Sequence, residues 1–138
     1  MSPVRVLIAD DQIMMRKGLA LLLDSHGCSV VEQVGSTKDV LDAYLAQRPD
    51  VVVLDVNFAE VRSGIEVAVQ LLQLDPDAKI VFLSNHDQGS IVKRAYRLGA
   101  MAYLSKQLDD LELITAVKSA AGAKVYMGSP QKTENKAR

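Results

Sequence analysis

Three acidic residues, a serine and a lysine could together hold a cation and act on an anionic group. Asp10 and Asp11 follow the apolar run from Val4 to Ala9, and Asp55 follows Val51, Val52, Val53 and Leu54. Ser84 follows Ile80, Val81, Phe82 and Leu83, and Lys106 stands just beyond the run from Met101 to Leu104. Three carboxylates brought together repel, so that either one takes a proton or a cation enters. Hard oxygen ligands completed by water describe a magnesium site. A carboxylate rigidly presented after a buried strand, as Asp55 would be, is a candidate nucleophile. Bound magnesium would neutralise and template an incoming phosphoryl donor. Lys106 would offer the phosphoryl oxygens a second positive charge, and Ser84 a hydrogen bond. Chemistry of that kind is positioning plus electrostatics.

Each residue also has a plainer reading. An Asp pair ahead of a helix is commonly an N-cap. An Asp after a strand is an ordinary turn residue, and so is a serine. A lysine is ordinarily a solvated surface charge. What sets these residues apart is their joint placement, which depends on the fold.

Two periods of apolar residues alternate along the chain. Strand-like runs cover Val4 to Ala9, Ser29 to Val34, Val51 to Leu54, Ile80 to Leu83 and Met101 to Leu104. Helical spacing covers Gln12 to His26, Thr37 to Gln47, Gly64 to Leu74, Gln88 to Leu98 and Asp109 to Ala121. Gly27 and Gly99 read as helix stops, Arg48-Pro49 and Asp75-Pro76 as breaks. Five βα units predict an α/β fold with a parallel sheet covered by helices on both faces. The continuously apolar strands suit such a sheet, and right-handed crossovers leave few topologies. The preferred arrangement is the flavodoxin-like doubly wound (βα)5 sheet in strand order 2-1-3-4-5, with the more polar second strand at an edge. Ligands of open α/β sheets bind beyond the carboxyl ends of the strands. All five chemical residues fall there, on one side of the sheet.

The bulk composition narrows the function classes. The chain has 138 residues, 49% hydrophobic and 24% charged, and a net charge of -1. That is one globular domain, not a disordered chain. It carries no basic field for nucleic acid. The single cysteine, Cys28, allows no internal disulfide or cysteine metal cluster and fits a cytoplasmic setting. The N-terminus lacks the layout of a signal peptide, and the apolar runs are too short and too broken by charge to span a membrane.

As a set, the acidic pair Asp10-Asp11, Asp55 after its apolar run, Ser84 after its own, and Lys106 closing Gly99-Ala100-Met101-Ala102-Tyr103-Leu104-Ser105 resemble the receiver domains of two-component response regulators. The resemblance covers Val4 to Ala121. It implies that a phosphohistidine of a sensor histidine kinase, or of a histidine phosphotransfer protein, donates its phosphoryl group to Asp55. It implies Mg2+ held by Asp11 and Asp55 directly, by the backbone carbonyl of Asn57, and by Asp10 largely through water. It implies that Ser84 reorients on phosphorylation and that Tyr103 follows as an aromatic switch; alone, Tyr103 would read as a half-buried strand aromatic. The only catalysis implied is of the domain's own aspartyl phosphorylation and dephosphorylation.

Within the family the chain looks LuxR-type, similar to NarL. Asp10-Asp11-Gln12 running into Met15-Arg16-Lys17-Gly18-Leu19, and the exit Gly122 to Pro130, carry that likeness. It implies a receiver domain over residues 1–122 and a linker or tail over 123–138, leading to a helix-turn-helix output domain absent from these residues. DNA would be a partner only through that domain, and phosphorylation would promote a homodimer. Three positions depart from the family pattern. Ala59 stands where a proline is usual, the segment from Asn57 to Ser63 is one residue longer than usual, and Asn85 replaces a small residue. Asn85 could shield the phosphoryl site, with His86 near attacking water.

Two other function classes compete. One is a stand-alone or phosphorylation-independent interaction module, which the altered loop and Asn85 would suit. The other is an aspartyl-phosphate hydrolase of the haloacid dehalogenase type, which needs a second Asp as general acid two residues after the nucleophile. Asn57 stands there instead. A flavodoxin fits less well, because the acidic first loop would repel a flavin phosphate.

Overall fold

A computed structural model of the chain describes residues 2–59, 63–85, 89–107 and 109–127. Among these residues five strands alternate with five helices: β1 (Val4–Ala9), α1 (Ile13–Ser25), β2 (Cys28–Val34), α2 (Val40–Gln47), β3 (Val51–Asp55), α3 (Gly64–Leu74), β4 (Ile80–Ser84), α4 (Gly89–Leu98), β5 (Ala102–Ser105) and α5 (Asp110–Ala121). All four strand pairings are parallel, and the order is β2-β1-β3-β4-β5. The expected flavodoxin-like doubly wound sheet is the observed one.

The alternation of side chains along each strand divides the core into two layers. Leu7, Ala9, Val52, Leu54, Ile80, Phe82 and Tyr103 face α2, α3 and α4. Val6, Ile8, Val51, Val53, Val81, Leu83, Ala102 and Leu104 face α1 and α5. β3 is buried at all five residues, as a central parallel strand must be. β2 is half-buried along most of its length, which fits its edge position.

The element ends differ from the sequence expectation by a residue or so, and one helix divides. Thr37–Asp39 forms a 3-10 turn before α2 proper begins at Val40. β2 starts at Cys28, β4 runs on to Ser84, and β5 spans Ala102–Ser105. Gln88, the expected start of the fourth helix, lies outside the described residues. Gly27 and Gly99 take φ of +86° and +110° at the ends of α1 and α4, which only glycine adopts without a side-chain penalty.

After α5 the chain turns back onto the sheet edge. The Tyr126 N–H donates to the Met101 carbonyl at 2.7 Å, and the Tyr126 hydroxyl to Glu112 at 3.0 Å. The Tyr96 hydroxyl, on α4, donates to the Tyr126 carbonyl at 2.8 Å and accepts the Tyr103 N–H at 3.0 Å. Among the described residues no helix is long and apolar enough to cross a membrane.

Candidate functional site

The carboxyl ends of β1, β3, β4 and β5 meet at one edge of the sheet, and the five residues singled out above stand there. Parallel pairing sets their level. Asp55 is opposite Leu83, and Ser84 opposite Ser105. The backbone then continues the ladder past the strand ends, with Val56 N–H donating to Leu83 O and Lys106 N–H to Ser84 O, both at 2.9 Å.

Asp10 and Asp55 are each 1% exposed, an unusual burial for carboxylates. One side-chain oxygen from each of Asp10, Asp11 and Asp55 lies within 4.8 Å of the other two. The Lys106 ammonium sits 3.0 Å from Asp10 Oδ2 and 3.3 Å from Asp55 Oδ2, and also donates to Gln12 Oε1 at 3.2 Å. The opposite oxygens are fixed by backbone donors. Asp10 Oδ1 accepts from Gln12 N–H at 2.8 Å and Asp55 Oδ1 from Asn57 N–H at 2.9 Å. Asp11 Oδ2 accepts from Ala59 N–H at 2.7 Å, tying the loop after β1 to the loop after β3.

The Asp pair is not a helix cap. The N-cap of α1 is Gln12, whose side chain makes no capping bond, and the first turn of α1 holds no acid. Lys106 is not a solvated lysine either, since its side chain is 3% exposed.

Three carboxylates face one ammonium here. Asp10 Oδ2 and Asp55 Oδ2 are buried and, apart from the Lys106 ion pairs, accept no hydrogen bond among the described residues. Oxygens so placed are open to a hard cation, and the donor set is the oxygen-only one that magnesium prefers. Asp10, Asp11 and Asp55 could hold it.

Ser84 is 2% exposed, and its hydroxyl donates to Asn57 Oδ1 at 3.1 Å. The same oxygen accepts the Asn85 N–H at 3.1 Å. The Asn57 side chain thus pins the end of β4 to the loop after β3, a role that sequence reasoning, which used only its backbone carbonyl, did not foresee. Its place two residues after Asp55 was the one available signal. Asn85 is exposed beside the site, and His86 lies outside the described residues. Tyr103 is not part of the acidic cluster. It is buried in β5 with its ring centroid 6.1 Å from that of Phe82.

Burial pushes the Asp55 carboxyl above the usual carboxylate range, and the Asp10 charge adds to the rise. The Asn57 N–H and Lys106 oppose it without cancelling it. Asp55 therefore contributes most to stability when protonated. That contribution is complete below the ordinary carboxylate value of about 4 and is lost as pH rises through the raised value. Asp55→Asn keeps an oxygen for the Asn57 N–H and removes the charge. It is expected to stabilise the metal-free protein at neutral pH by about 1 kcal/mol. Urea midpoints should show the gain at neutral pH and its disappearance in acid. An unchanged midpoint at neutral pH would mean that Lys106 offsets the charge fully.

Comparison with known proteins agrees with this geometry. The family model described as the response regulator receiver domain matches residues 6–118. The transcriptional regulatory protein DegU of Brevibacillus brevis is 32% identical over 135 residues, 97% of this chain and 56% of DegU. The chemotaxis protein CheY of Treponema pallidum is 31% identical over 120 residues, 86% of this chain and 83% of CheY. The crystal structure of a LuxR-family two-component response regulator from Aurantimonas sp. SI85-9A1 matches with a TM-score of 0.89 at 27% identity, over 99% of this chain and 96% of that one. The chain spans little more than half the length of DegU and of several other curated relatives. The family match runs from within β1 to the last turn of α5, and on that span the chain belongs to the response regulator receiver domain family, with LuxR-type regulators among its relatives.

Proposed function

We propose that this receiver domain accepts a phosphoryl group on the carboxylate of Asp55, from a phosphohistidine of a sensor kinase or of a histidine phosphotransfer protein. The observation that carries the reading is the burial of Asp55, which shares the Lys106 ammonium with Asp10 at the edge where four strands end. An Asp55 oxygen forms the new bond to phosphorus, the donor's phosphorus–nitrogen bond breaks, and its electron pair returns to the imidazole. Mg2+ held by Asp10, Asp11, Asp55 and the Asn57 backbone carbonyl would neutralise charge on the phosphoryl oxygens. Asn57 N–H and the buried wall hold Asp55 in one orientation, so little reorganisation is needed. Lys106 exchanges its contact with Asp55 for the phosphoryl oxygens, and the Ser84 hydroxyl leaves Asn57 to donate to them.

Tyr103 would follow Ser84, and α4 and β5 would shift with it. Asn85 and His86 would control access of water and donor. Residues 1–122 form the switching unit in this reading. Residues 123–138 lead to a helix-turn-helix output domain, through which phosphorylation controls transcription by way of a homodimer. The name of DegU as a transcriptional regulatory protein, with its length nearly twice that matched here, supports this part. Sedimentation with beryllofluoride and Mg2+ should show a heavier species; unchanged mass with proven binding would count against the dimer.

A hydrolase of the dehalogenase type is disfavoured by Asn57. Its side-chain oxygen accepts from Ser84 and Asn85 and has no acidic proton to give. The direct test is intact mass after incubation with Mg2+ and acetyl phosphate. One added phosphoryl group is expected. No addition to folded protein would overturn the reading in favour of a phosphorylation-independent interaction module.

A further inference from the structure

Arg16, in the second turn of α1, spends its charge in an unusual place. Its Nη1 donates to the backbone carbonyl of Asp10 at 2.7 Å, and among the described residues its guanidinium makes no ion pair. The Asp10 N–H donates to the Val34 carbonyl at the end of β2, at 3.1 Å. Both backbone groups of Asp10 are thus held, one by the sheet and one by a charged donor. A hydrogen bond from a charged group is about twice as strong as a neutral one.

The residue after Val34 makes room for this arrangement. A Cβ on Gly35 would lie 2.8 Å from Arg16 Nη1, 3.6 Å from Cζ and 3.8 Å from Nη2. These are the three nearest atoms and all belong to the guanidinium, and the φ of Gly35 lies outside the left-handed region. Glycine is therefore not required at position 35 by its backbone. The guanidinium is what needs the space.

We propose that Arg16 is a positioning residue for the acidic cluster: seated in the slot that Gly35 leaves open, it fixes the Asp10–Asp11 peptide and holds both carboxylates in register for a divalent cation. The inference rests on the phosphoacceptor reading above and deepens it. Asp10 and Asp11 occupy a short connection between β1 and α1, and their side chains leave it in different directions, to Lys106 and to the loop after β3. A rotation of the peptide between them would move both carboxylates at once. Groups that orient metal ligands affect affinity nearly as strongly as some ligands do.

The test is calorimetric titration of the metal-free protein with Mg2+. Arg16→Ala is expected to weaken binding about tenfold, and Arg16→Lys to recover part of the loss. Gly35→Ala displaces the far end of a flexible side chain without straining the backbone. It should fold normally, as thermal melting will show, and weaken Mg2+ to a similar degree. In the Arg16→Ala background Gly35→Ala should cost nothing more, because the atom it collides with is gone. Wild-type affinity in Arg16→Ala would overturn the inference. Should that variant not fold, wild-type affinity in Gly35→Ala would do so. A Gly35→Ala effect that persists undiminished without Arg16 would break the link between them. Absence of Mg2+ binding in the native chain would instead bring down the phosphoacceptor reading, and this inference with it.

Discussion

Asp55→Ala is expected to take up no phosphoryl group from acetyl phosphate and Mg2+, a complete loss against one group on the native chain. The physical reason is the lack of a substitute. Asp10 is as buried as Asp55 and is likewise held by a backbone N–H and Lys106, but it stands at the end of a different strand and cannot present its oxygen where Asp55 does. Asp11 is fixed by the Ala59 N–H. The hydroxyl of Ser84 is a weak nucleophile, and it donates to an amide oxygen. The alanine chain should remain folded, since it removes a buried charge from a cluster that holds too many. Intact mass and a thermal melt on one sample separate loss of chemistry from loss of fold. A phosphoryl group that still appears on Asp55→Ala would move the acceptor elsewhere, and peptide mapping would say where.

Gly64→Ala is expected to cause the largest loss of stability of any single methyl addition at a described glycine. Gly64 opens α3, and its N–H donates to the Val56 carbonyl at 3.1 Å, so the helix starts against the end of β3. A Cβ there would overlap the Asp55 carbonyl oxygen and lie 2.9 Å from the carbonyl carbon of Asp55 and from Val56 Cα. Backbone cannot rotate out of the way as a side chain can. Either α3 lifts or β3 shifts, at a cost of about 3 kcal/mol. Since Asp55 is part of what must shift, phosphoryl uptake should fall in the variant even where it is folded. Gly18→Ala is the control. It lies in α1 with nothing within 4 Å of the added carbon, and helix propensity favours alanine by about 1 kcal/mol. Urea midpoints should move in opposite directions for the two variants. Equal midpoints for Gly64→Ala and the native chain would mean that the close crossing of α3 over β3 is softer than the structure has it.

The sheet and its order were legible because parallel strands buried on both faces leave a plain mark. Val51 to Leu54 is apolar throughout, and Glu32 and Gln33 betray the edge. The clustering of Asp10, Asp11, Asp55, Ser84 and Lys106 followed from strand ends alone. What escaped the sequence depends on contacts between distant residues. The 3-10 turn at Thr37–Asp39 continues into α2 with no break in the apolar pattern. The Asn57 side chain as a double acceptor needs the end of β4 beside it, and its place two residues after Asp55 does not reveal that contact. The slot at Gly35 is shaped by a side chain on another element, so local reading sees only a glycine after a strand. The return of Tyr126 to the β5 edge, inside a stretch read as the start of a linker, is of the same kind.

The site draws on residues from position 10 to position 106, held by the ends of four parallel strands. No piece of the chain shorter than residues 10–106 contains it. Parallel pairing closes long loops before contacts reward them, and such topologies assemble slowly. During synthesis the acidic residues emerge well before Lys106, so a nascent chain carries the carboxylates without their ammonium. Only the completed sheet unites them, and a cation that binds that state alone draws the folding equilibrium towards it. Competence to receive a signal is thereby withheld from half-made molecules, with no device beyond the order in which the chain is threaded through its own sheet.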